Sequence, residues 1–339
     1  MSQPFVVHPR RHVEAVRRDA AASVDAAPRR LPDHPALEPL RSVLSDPQVT
    51  DVVINGADGM FVDRGRGMEP VPGWRAGADE LRALAVALIG IGGRHLDDAA
   101  PLVDVRWEHG ARVHAVLPPV ACSGPAISIR LPPRDLPDLD ELARRGMCDA
   151  PTLARLDGLV AARANLLVSG ATGAGKTTLL SALLARVGPH ERIVTIEDVA
   201  ELRIRHPHHV RLEARQPNLE GAGAVSLARL VREALRMRPD RLVVGECRGE
   251  EVRELLTALN TGHDGGAGTV HVGSIRDLPA RLEALGALAG LDDHAVARQV
   301  VSAIGAVVHV ERGADGIRRV TGFARPTLHD GRLAMEALP

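Results

Sequence analysis

Aromatic side chains are scarce in this chain: its 339 residues include three Phe, two Trp and no Tyr. The core must therefore be built from Leu, Val, Ile and Ala, and an aromatic surface on which single-stranded nucleic acid could stack is not expected. The formal net charge is −1, so the chain as a whole does not attract a polyanion. The composition thus argues against a nucleic-acid partner.

Cysteines and long apolar runs are also few. Cys122, Cys148 and Cys247 are too few and too scattered for a disulfide framework or a four-thiolate zinc site, which is typical of a reducing compartment. The longest apolar run, around residues 83–93, is too short to span a bilayer, and arginines occupy the first segment where a signal peptide needs an apolar core. We therefore expect a cytoplasmic protein that reaches a membrane through a partner, without inserting itself.

Composition and periodicity divide the chain into four parts. Residues 1–35, rich in Ala, Arg and Pro, are predicted to form an arm that is helical or disordered. Residues 36–131 mix strand and helix patterns, which predicts a small α+β domain, and the prolines and charges within 132–150 predict a linker. In 151–339, short apolar strands alternate with longer helices, which predicts an α/β domain around a mainly parallel sheet with an antiparallel addition at its end.

Lysine occurs once among the 42 Lys and Arg residues, as Lys176. It lies in the segment GATGAGKT, which matches the phosphate-loop pattern G-x-x-x-x-G-K-[ST] directly after a predicted strand and before a predicted helix. The glycines let successive backbone N–H groups point at phosphate oxygens, and the helix N-terminus favours negative charge. Lys176 would place a compact ammonium between the β- and γ-phosphates, where the planar fork of Arg fits badly, and Thr177 would offer its hydroxyl to Mg²⁺. The predicted nucleotide-binding residues are Gly170, Ala171, Thr172, Gly173, Ala174, Gly175, Lys176, Thr177 and Thr178.

Acidic residues end two predicted strands of the α/β domain. The segment IVTIED ends in Glu197 and Asp198, with Glu201 shortly after, and RLVVGE ends in Glu246. The carboxyl ends of parallel strands meet at the sheet edge where ligands bind in open α/β folds. Phosphoryl transfer needs carboxylates for a metal ion and for the attacking water, so we favour this role over that of solvated loop acids.

Histidines occur in two groups. His263 and His271 flank a Gly-rich segment, from which they would sense or orient a γ-phosphate; metal ligation is the rival interpretation. His206, His208 and His209 in RHPHH have the spacing of metal ligands, but for them we prefer a solvated turn.

Taken in order, these motifs resemble those of the type II/IV secretion-system ATPase superfamily, and specifically of the branch that assembles Flp (tight-adherence) pili. The resemblance extends from about residue 36 to residue 325. It rests on the loop GATGAGKTT, the acidic segment TIEDVAEL, the segment LVREALRMRPDRLVVGECRGEE and the histidine segment TGHDGGAGTVH. In the first domain, VVING, GARVHAVLPP and ISIRLP also resemble this branch.

The resemblance implies a RecA-like P-loop NTPase domain preceded by the smaller α+β domain, with ATP and Mg²⁺ bound between them. It also implies a homohexameric ring that moves an inner-membrane platform protein from the cytoplasmic side. By motif position, Glu246 would be the Walker B acid and a metal ligand, and Glu197 would orient the attacking water. The other residues that the resemblance assigns to the active site are His263, His271, Arg112 and Arg130, the two arginines being those that reach toward the γ-phosphate in relatives. Three further arginines, Arg215, Arg236 and Arg238, match arginines of the family. The resemblance does not assign an individual role to each of them.

Three functions from different classes remain open on the sequence. The first is a motor ATPase for pilus assembly or secretion, the second is a DNA-transfer motor of the conjugation type, and the third is a scaffold that binds ATP with little turnover. Near-neutral charge and scarce aromatics count against direct DNA contact. Intact Glu197 and Glu246 count against the scaffold.

Overall fold

The computed structural model describes residues 30–65, 67–107, 110–132, 137–215 and 222–338. Within these ranges the chain forms two β-sheets, of six and eight strands. The predicted N-terminal arm lies outside the described residues up to residue 29. In the described part of the chain, no helix is both long enough and apolar enough to cross a membrane.

The first sheet is entirely antiparallel. Its strands are β1 (Asp51–Asn55), β2 (Met60–Asp63), β3 (Met68–Pro70), β4 (Leu102–Arg106), β5 (Arg112–Val116) and β6 (Ala126–Arg130). They lie in the order β3-β2-β1-β6-β5-β4. Side chains alternate along each strand, so that in β5 Val113 and Ala115 are buried while Arg112 and His114 point outward.

Two helices, α1 (Arg41–Ser45) and α2 (Ala78–Ile91), contribute side chains to the core on the buried face of this sheet. In α2, Leu81, Ala85 and Leu88 recur at helical spacing and are fully or almost fully buried. The buried indole of Trp107 donates a hydrogen bond from Nε1 to the carbonyl oxygen of Leu88 at 3.0 Å. The strand and helix patterns thus assemble into a one-sided α+β layer, as the sequence predicts.

The second sheet is mainly parallel. Its strands are β7 (Leu166–Gly170), β8 (Ile193–Glu197), β9 (His209–Glu213), β10 (Arg241–Val244), β11 (Ala267–His271), β12 (Ala306–Arg312), β13 (Arg318–His329) and β14 (Arg332–Leu338). They lie in the order β14-β13-β12-β7-β11-β10-β8-β9, in which the six strands from β12 to β9 are parallel and the other two are antiparallel additions. This confirms the predicted α/β fold and its antiparallel end.

Helices cover both faces of the second sheet. They are α3 (Leu139–Arg144), α4 (Ala150–Ala161), α5 (Lys176–Leu184), α6 (Leu227–Ala234), α7 (Glu251–Asn260), α8 (Leu278–Leu288) and α9 (Asp293–Ala303). Side chains of α3 to α5 form one core layer with the sheet, and those of α6 to α9 form the other. Because both faces are covered, every residue of β7, β8 and β10 is buried, which explains their continuous apolar runs.

Part of the segment 132–150, which was predicted as a linker, is helical. Helix α3 begins after Asp138, whose carboxylate accepts a hydrogen bond from the backbone N–H of Glu141 at 2.8 Å. Leu139 and Leu142 of this helix are buried in the core layer that α5 also contributes to. The prolines directly before this short helix favoured a linker, so the helix was not predicted from the sequence.

The RHPHH segment is a turn only in its first part. His206 and His208 belong to the turn, as predicted, whereas His209 begins strand β9, and there the predicted turn is wrong. His209 pairs with Ile193 of β8, and its Nε2 lies 3.0 Å from the hydroxyl of Thr195. Burial, aided by neighbouring cationic groups, lowers its pKa to about 4, so the imidazole is neutral at physiological pH. Pairing with β8 outweighs the local turn preference.

A buried asparagine joins three segments at the amino edge of the second sheet. The Oδ1 atom of Asn165 accepts hydrogen bonds from the backbone N–H groups of Gly265 (2.8 Å) and Gly266 (3.1 Å). Its Nδ2 donates to the carbonyl oxygen of Ala303 at 2.8 Å. The Gly-rich segment before β11 is therefore held by packing and hydrogen bonds at this edge.

We expect Asn165→Ala to lower the free energy of unfolding by about 3 kcal/mol, because it leaves two N–H groups and one carbonyl without their partner. Urea denaturation measures this difference. Asn260→Ala is the matched control, since Asn260 is exposed and makes one bond from Nδ2 to the carbonyl oxygen of Gln299 at 3.2 Å; it should change the free energy of unfolding by less than about 1 kcal/mol. Equal midpoints for the two variants would contradict the role of Asn165.

Candidate functional site

The phosphate loop connects the end of β7 to the start of α5 at the carboxyl edge of the second sheet. Gly175 directly precedes α5 with a φ of 99°, in the left-handed region that favours glycine. A Cβ atom on Gly175 would lie 2.8 Å from Cδ of Arg318, so a larger residue would also meet a steric obstacle. The sequence therefore folds here as the motif predicts, with the helix N-terminus directed at the loop.

The Lys176 side chain is buried within this loop, with a residue exposure of 5%. Its Nζ donates to the carbonyl oxygens of Gly170 and Ala171, both at 2.9 Å, and to Nδ1 of His271 at 3.1 Å. Burial lowers the pKa of Lys176, and the carboxylate of Glu246 partly offsets this. A phosphate entering the loop would therefore find a desolvated cation whose charge has little compensation nearby.

His271 links the phosphate loop to the acid at the end of the next strand. The Lys176 ammonium can only donate, so Nδ1 of His271 is the acceptor and the ring proton of the neutral form lies on Nε2. Nε2 lies 3.3 Å from Oε1 of Glu246, within ion-pair distance of that carboxylate. The hydroxyl of Thr172 is also 3.3 Å from Nδ1. Because β11 lies between β7 and β10, its last residue bridges the two neighbouring strand ends.

Glu197 is a buried carboxyl group at the end of β8. Its Oε1 accepts hydrogen bonds from the backbone N–H groups of Glu201 (3.0 Å) and Leu202 (2.9 Å), whereas Oε2 is buried with no hydrogen-bond partner among the described residues. Burial raises the pKa of Glu197 to about 7, although these two amides act in the opposite direction. A Cβ on Gly245 would lie 2.5 Å from Cγ of Glu197, so glycine at this position makes room for the carboxyl group.

Four predicted site residues meet around one small cleft of about 70 Å³. They are Arg112, Thr177, Glu197 and Glu246. The same cleft is lined by Asp198 and Arg248, which form an ion pair with each other. Cation, hydroxyl and carboxylate groups from four separated parts of the chain thus converge beside the phosphate loop.

Thr177 and Glu246 are suited to hold Mg²⁺ at this cleft. Both provide the hard oxygen ligands that this ion prefers, and Mg²⁺ normally retains several waters and binds substrate phosphates. In the described ranges, no group of three or more His, Cys, Asp or Glu side chains is arranged to hold a metal. Phosphate oxygens of a substrate would therefore have to complete the coordination.

Arg112 and Arg130 lie opposite each other on β5 and β6. Each is held by an aspartate: Nε of Arg112 lies 2.9 Å from Asp104, and Nε of Arg130 lies 3.2 Å from Asp51. Both arginines line a larger cleft of about 440 Å³, which also includes Thr177. The outward face of the first sheet thus presents two oriented cations to the phosphate-loop region.

The structure does not bring His263 to this cluster. His263 lies before the first residue of β11, and His271 is the last residue of that strand, so the two lie toward opposite edges of the sheet. Nδ1 of His263 lies 3.2 Å from the carbonyl oxygen of Ala258 in α7. Eight positions along the sequence separate the two histidines, but an extended strand carries them apart.

Arg215, Arg236 and Arg238, to which the resemblance assigns no individual role, also lie away from the two clefts. Nε of Arg215 donates to the carbonyl oxygen of Gly223 at 2.5 Å, and Arg236 pairs with Glu233 at 3.2 Å. Arg238 has a φ of 53° after α6. None of the three is among the described residues that line the two clefts.

One residue at the loop was not predicted from the sequence. Nε of Arg318, at the start of β13, donates to the carbonyl oxygen of Gly173 at 3.0 Å. No local signal distinguishes it, because arginine is the common basic residue of the chain and occurs in most of its segments. Only the pairing of β12 with β7 brings the following hairpin beside the loop.

Comparison with known proteins relates the chain to secretion and conjugation systems. The model of the family described as "Type II/IV secretion system protein" matches residues 33–315. A protein of Mycobacterium tuberculosis (strain H37Rv) that is named for conjugal transfer is 48% identical over 303 residues, which cover 88% of this chain and 85% of that protein. The type IV secretion system protein PtlH of Bordetella pertussis is 35% identical over 261 residues, which cover 70% of this chain and 77% of PtlH. The conjugal transfer protein TrbB of Rhizobium radiobacter is 31% identical, with 81% and 83% covered.

Solved structures share the fold at lower sequence identity. The pilus retraction motor PilT with bound ADP matches with a TM-score of 0.59 and 22% identity, covering 89% of this chain and 82% of that one. The ATPase DotB of Legionella pneumophila matches with a TM-score of 0.55 and 19% identity, covering 84% and 78%. The two likenesses concern the fold, whereas the family model and the 48% identical relative cover most of the sequence. The chain therefore belongs to the type II/IV secretion system protein family.

Proposed function

We propose that this chain hydrolyses ATP and acts as a motor in pilus assembly or type II/IV secretion. One observation carries the proposal: Lys176, His271 and Glu246 form a continuous chain of contacts from the phosphate loop to the small cleft. Thr177 and Glu197 line the same cleft. A phosphate loop, a metal-binding acid and a buried carboxyl group that can accept a proton are the parts that phosphoryl transfer to water requires.

Each side chain has a separate task in this mechanism. Lys176 donates to the β- and γ-phosphate oxygens, which replace the two loop carbonyls as its acceptors. Thr177 and Glu246 hold Mg²⁺, which when bound neutralises the charge that develops on the phosphates. Glu197 accepts a proton from the attacking water, for which a pKa of about 7 is suitable near neutral pH. Arg112, oriented by Asp104, stabilises charge on the γ-phosphate from the first sheet.

The assembly and its setting are also part of the proposal. We assign residues 36–131 to an N-terminal domain, 132–150 to a linker and 151–339 to a RecA-like ATPase domain, on the resemblance of the motifs. Six copies would form a ring at the inner face of the cytoplasmic membrane, bound there to a platform protein. The Flp pilus branch is supported by the motifs of both domains.

A conjugation-type DNA-transfer motor is the second candidate. It is favoured by the names of two relatives, the mycobacterial protein and TrbB, which refer to conjugal transfer. The near-neutral charge and scarce aromatics of this chain count against direct DNA contact, so a role in DNA transfer would be exercised through other proteins. A scaffold that binds ATP with little turnover is the third.

The test is hydrolysis of Mg·ATP by the purified protein, with Lys176→Ala as the inactive control and with mass measured by light scattering. We expect slow turnover from a hexamer of the 36.0 kDa chain, unchanged by added single-stranded DNA. Stimulation by DNA would favour the second candidate. A hexamer that binds ATP without turnover would favour the scaffold, and brisk turnover by a monomer would contradict the ring motor.

A further inference from the structure

The hairpin between β12 and β13 places Arg318 across the phosphate loop. β12 runs parallel to β7, so both strands end at the same sheet edge, and β13 starts there with Arg318. Its Nε donates to the carbonyl oxygen of Gly173 at 3.0 Å, and its Cδ would lie 2.8 Å from a Cβ on Gly175. The aliphatic part of the side chain thus lies against the loop glycines, and its position is fixed by a hydrogen bond to the loop itself.

Arg318 differs from three of the other arginines around the larger cleft in its charge environment. The arginines that line this cleft are Arg112, Arg130, Arg145, Arg203 and Arg318, against a single carboxylate, that of Glu201. Three of them have carboxylate partners, Arg112 with Asp104, Arg130 with Asp51 and Arg145 with Glu141. Among the described residues, no carboxylate forms an ion pair with Arg318. Burial, and next the cation of Arg312, lower its pKa, so a bound anion would relieve an unfavourable environment.

The two clefts indicate which part of a nucleotide lies near Arg318. The small cleft contains Glu197 and Glu246, and the Lys176 ammonium is linked to it through His271, so it suits the γ-phosphate end. The larger cleft shares Thr177 with the small one and continues along α5 past Thr178 to Ser181, with Arg318 on its lining. A nucleotide that extends from one cleft into the other would pass Arg318 with its inner phosphates.

We propose that Arg318 is a nucleotide-binding residue that contacts the α-phosphate from within the same chain, an inference that rests on the proposed nucleotide site. The hydrogen bond from Nε to the loop orients the guanidinium plane, and the two terminal nitrogens provide the donors for a phosphate oxygen. ATP and ADP share the α-phosphate. Arg318 therefore contributes equally to binding of both, unlike a residue that contacts the γ-phosphate.

The variant Arg318→Gln separates this role from a purely structural one. The Nε2 atom of Gln stands at the same number of bonds from Cα as Nε of Arg, so it can keep the hydrogen bond to Gly173 while the charge is lost. Arg319→Gln is the matched control on the same hairpin, because Arg319 pairs with Asp315 instead. Calorimetric titration measures the affinities for Mg·ATP and Mg·ADP. Thermal unfolding of the nucleotide-free proteins measures the midpoint temperature.

We expect Arg318→Gln to weaken binding of both nucleotides by the same factor, about 10-fold, with the nucleotide-free midpoint unchanged and Arg319→Gln like wild type. Unchanged affinity would overturn the inference. So would a loss confined to ATP, which would indicate a γ-phosphate contact, or a lowered midpoint, which would indicate packing of the loop. Absence of binding by the wild type would instead refute the proposed function, so the two failures are distinguishable.

Discussion

Glu197→Gln is expected to remove most ATP turnover and at the same time to stabilise the folded protein at alkaline pH. Loss of the proton acceptor should lower kcat at least ~100-fold, the range for loss of general base catalysis. Nucleotide binding should persist, because the phosphate loop does not depend on this carboxyl group. A steady-state assay and a binding titration measure the two effects on one preparation.

The stabilising effect follows from the raised pKa. Glu197 has a pKa of about 7 in the folded protein against a usual value of 4.5, so between these values the folded state binds more protons than the unfolded state. Stability of the wild type is therefore lost as pH rises through this window, and the full loss is about 3 kcal/mol above pH 7. Gln cannot ionise, so the free energy of unfolding of the variant should exceed that of the wild type by a margin that grows from about pH 5 to pH 8.

The difference between the two proteins, measured by denaturant unfolding at several pH values, isolates this group from the histidines. His209 contributes the opposite slope in both proteins, since its lowered pKa of about 4 makes stability fall as pH drops below its usual 6.5. Glu233→Gln is the control, because Glu233 forms an exposed pair with Arg236. A difference between Glu197→Gln and wild type that does not change with pH would contradict the buried, protonatable carboxyl group.

Lys176→Arg should weaken nucleotide binding and turnover almost as much as Lys176→Ala does, although it keeps the charge. The Lys176 ammonium fits among three acceptors at 2.9 to 3.1 Å in a buried position. The guanidinium of Arg is planar, longer and wider, and it cannot take this place without displacing the loop backbone. We expect ATP affinity to fall on the order of 100-fold, equivalent to the loss of two charged hydrogen bonds.

Affinity for a fluorescent ATP analogue and turnover of ATP measure this effect. Arg186→Lys is the control for a change between the two basic residues, because Arg186 pairs with Asp140 and Asp157 away from the clefts. It should bind and hydrolyse ATP as the wild type does. If Lys176→Arg retained wild-type affinity, the position would need only a positive charge, and the single lysine of the chain would have no special role at the phosphates.

Local sequence was sufficient where the physical requirement is itself local. The glycines around Lys176 reflect backbone conformations that other residues rarely adopt, and the alternation of strands with amphipathic helices reflects burial within single elements. The α/β fold, its antiparallel end and the place of the phosphate loop between β7 and α5 were predicted on this basis and are confirmed. Helix α3 and strand β9 were not predicted, because contacts with the core and with β8 stabilise them against local turn and proline signals.

The sequence by itself determined the phosphate loop, the two acidic strand ends and the family resemblance, because each is encoded in consecutive residues. Tertiary structure alone decided which distant groups meet there. The order of the strands brings His271 to Lys176 and leaves His263 toward the opposite edge, although the two histidines are close in sequence. Burial, a property of the packed fold, raises the pKa of Glu197. Arg318 is selected from many arginines by the pairing of β12 with β7, since contacts across a sheet do not follow distance along the chain.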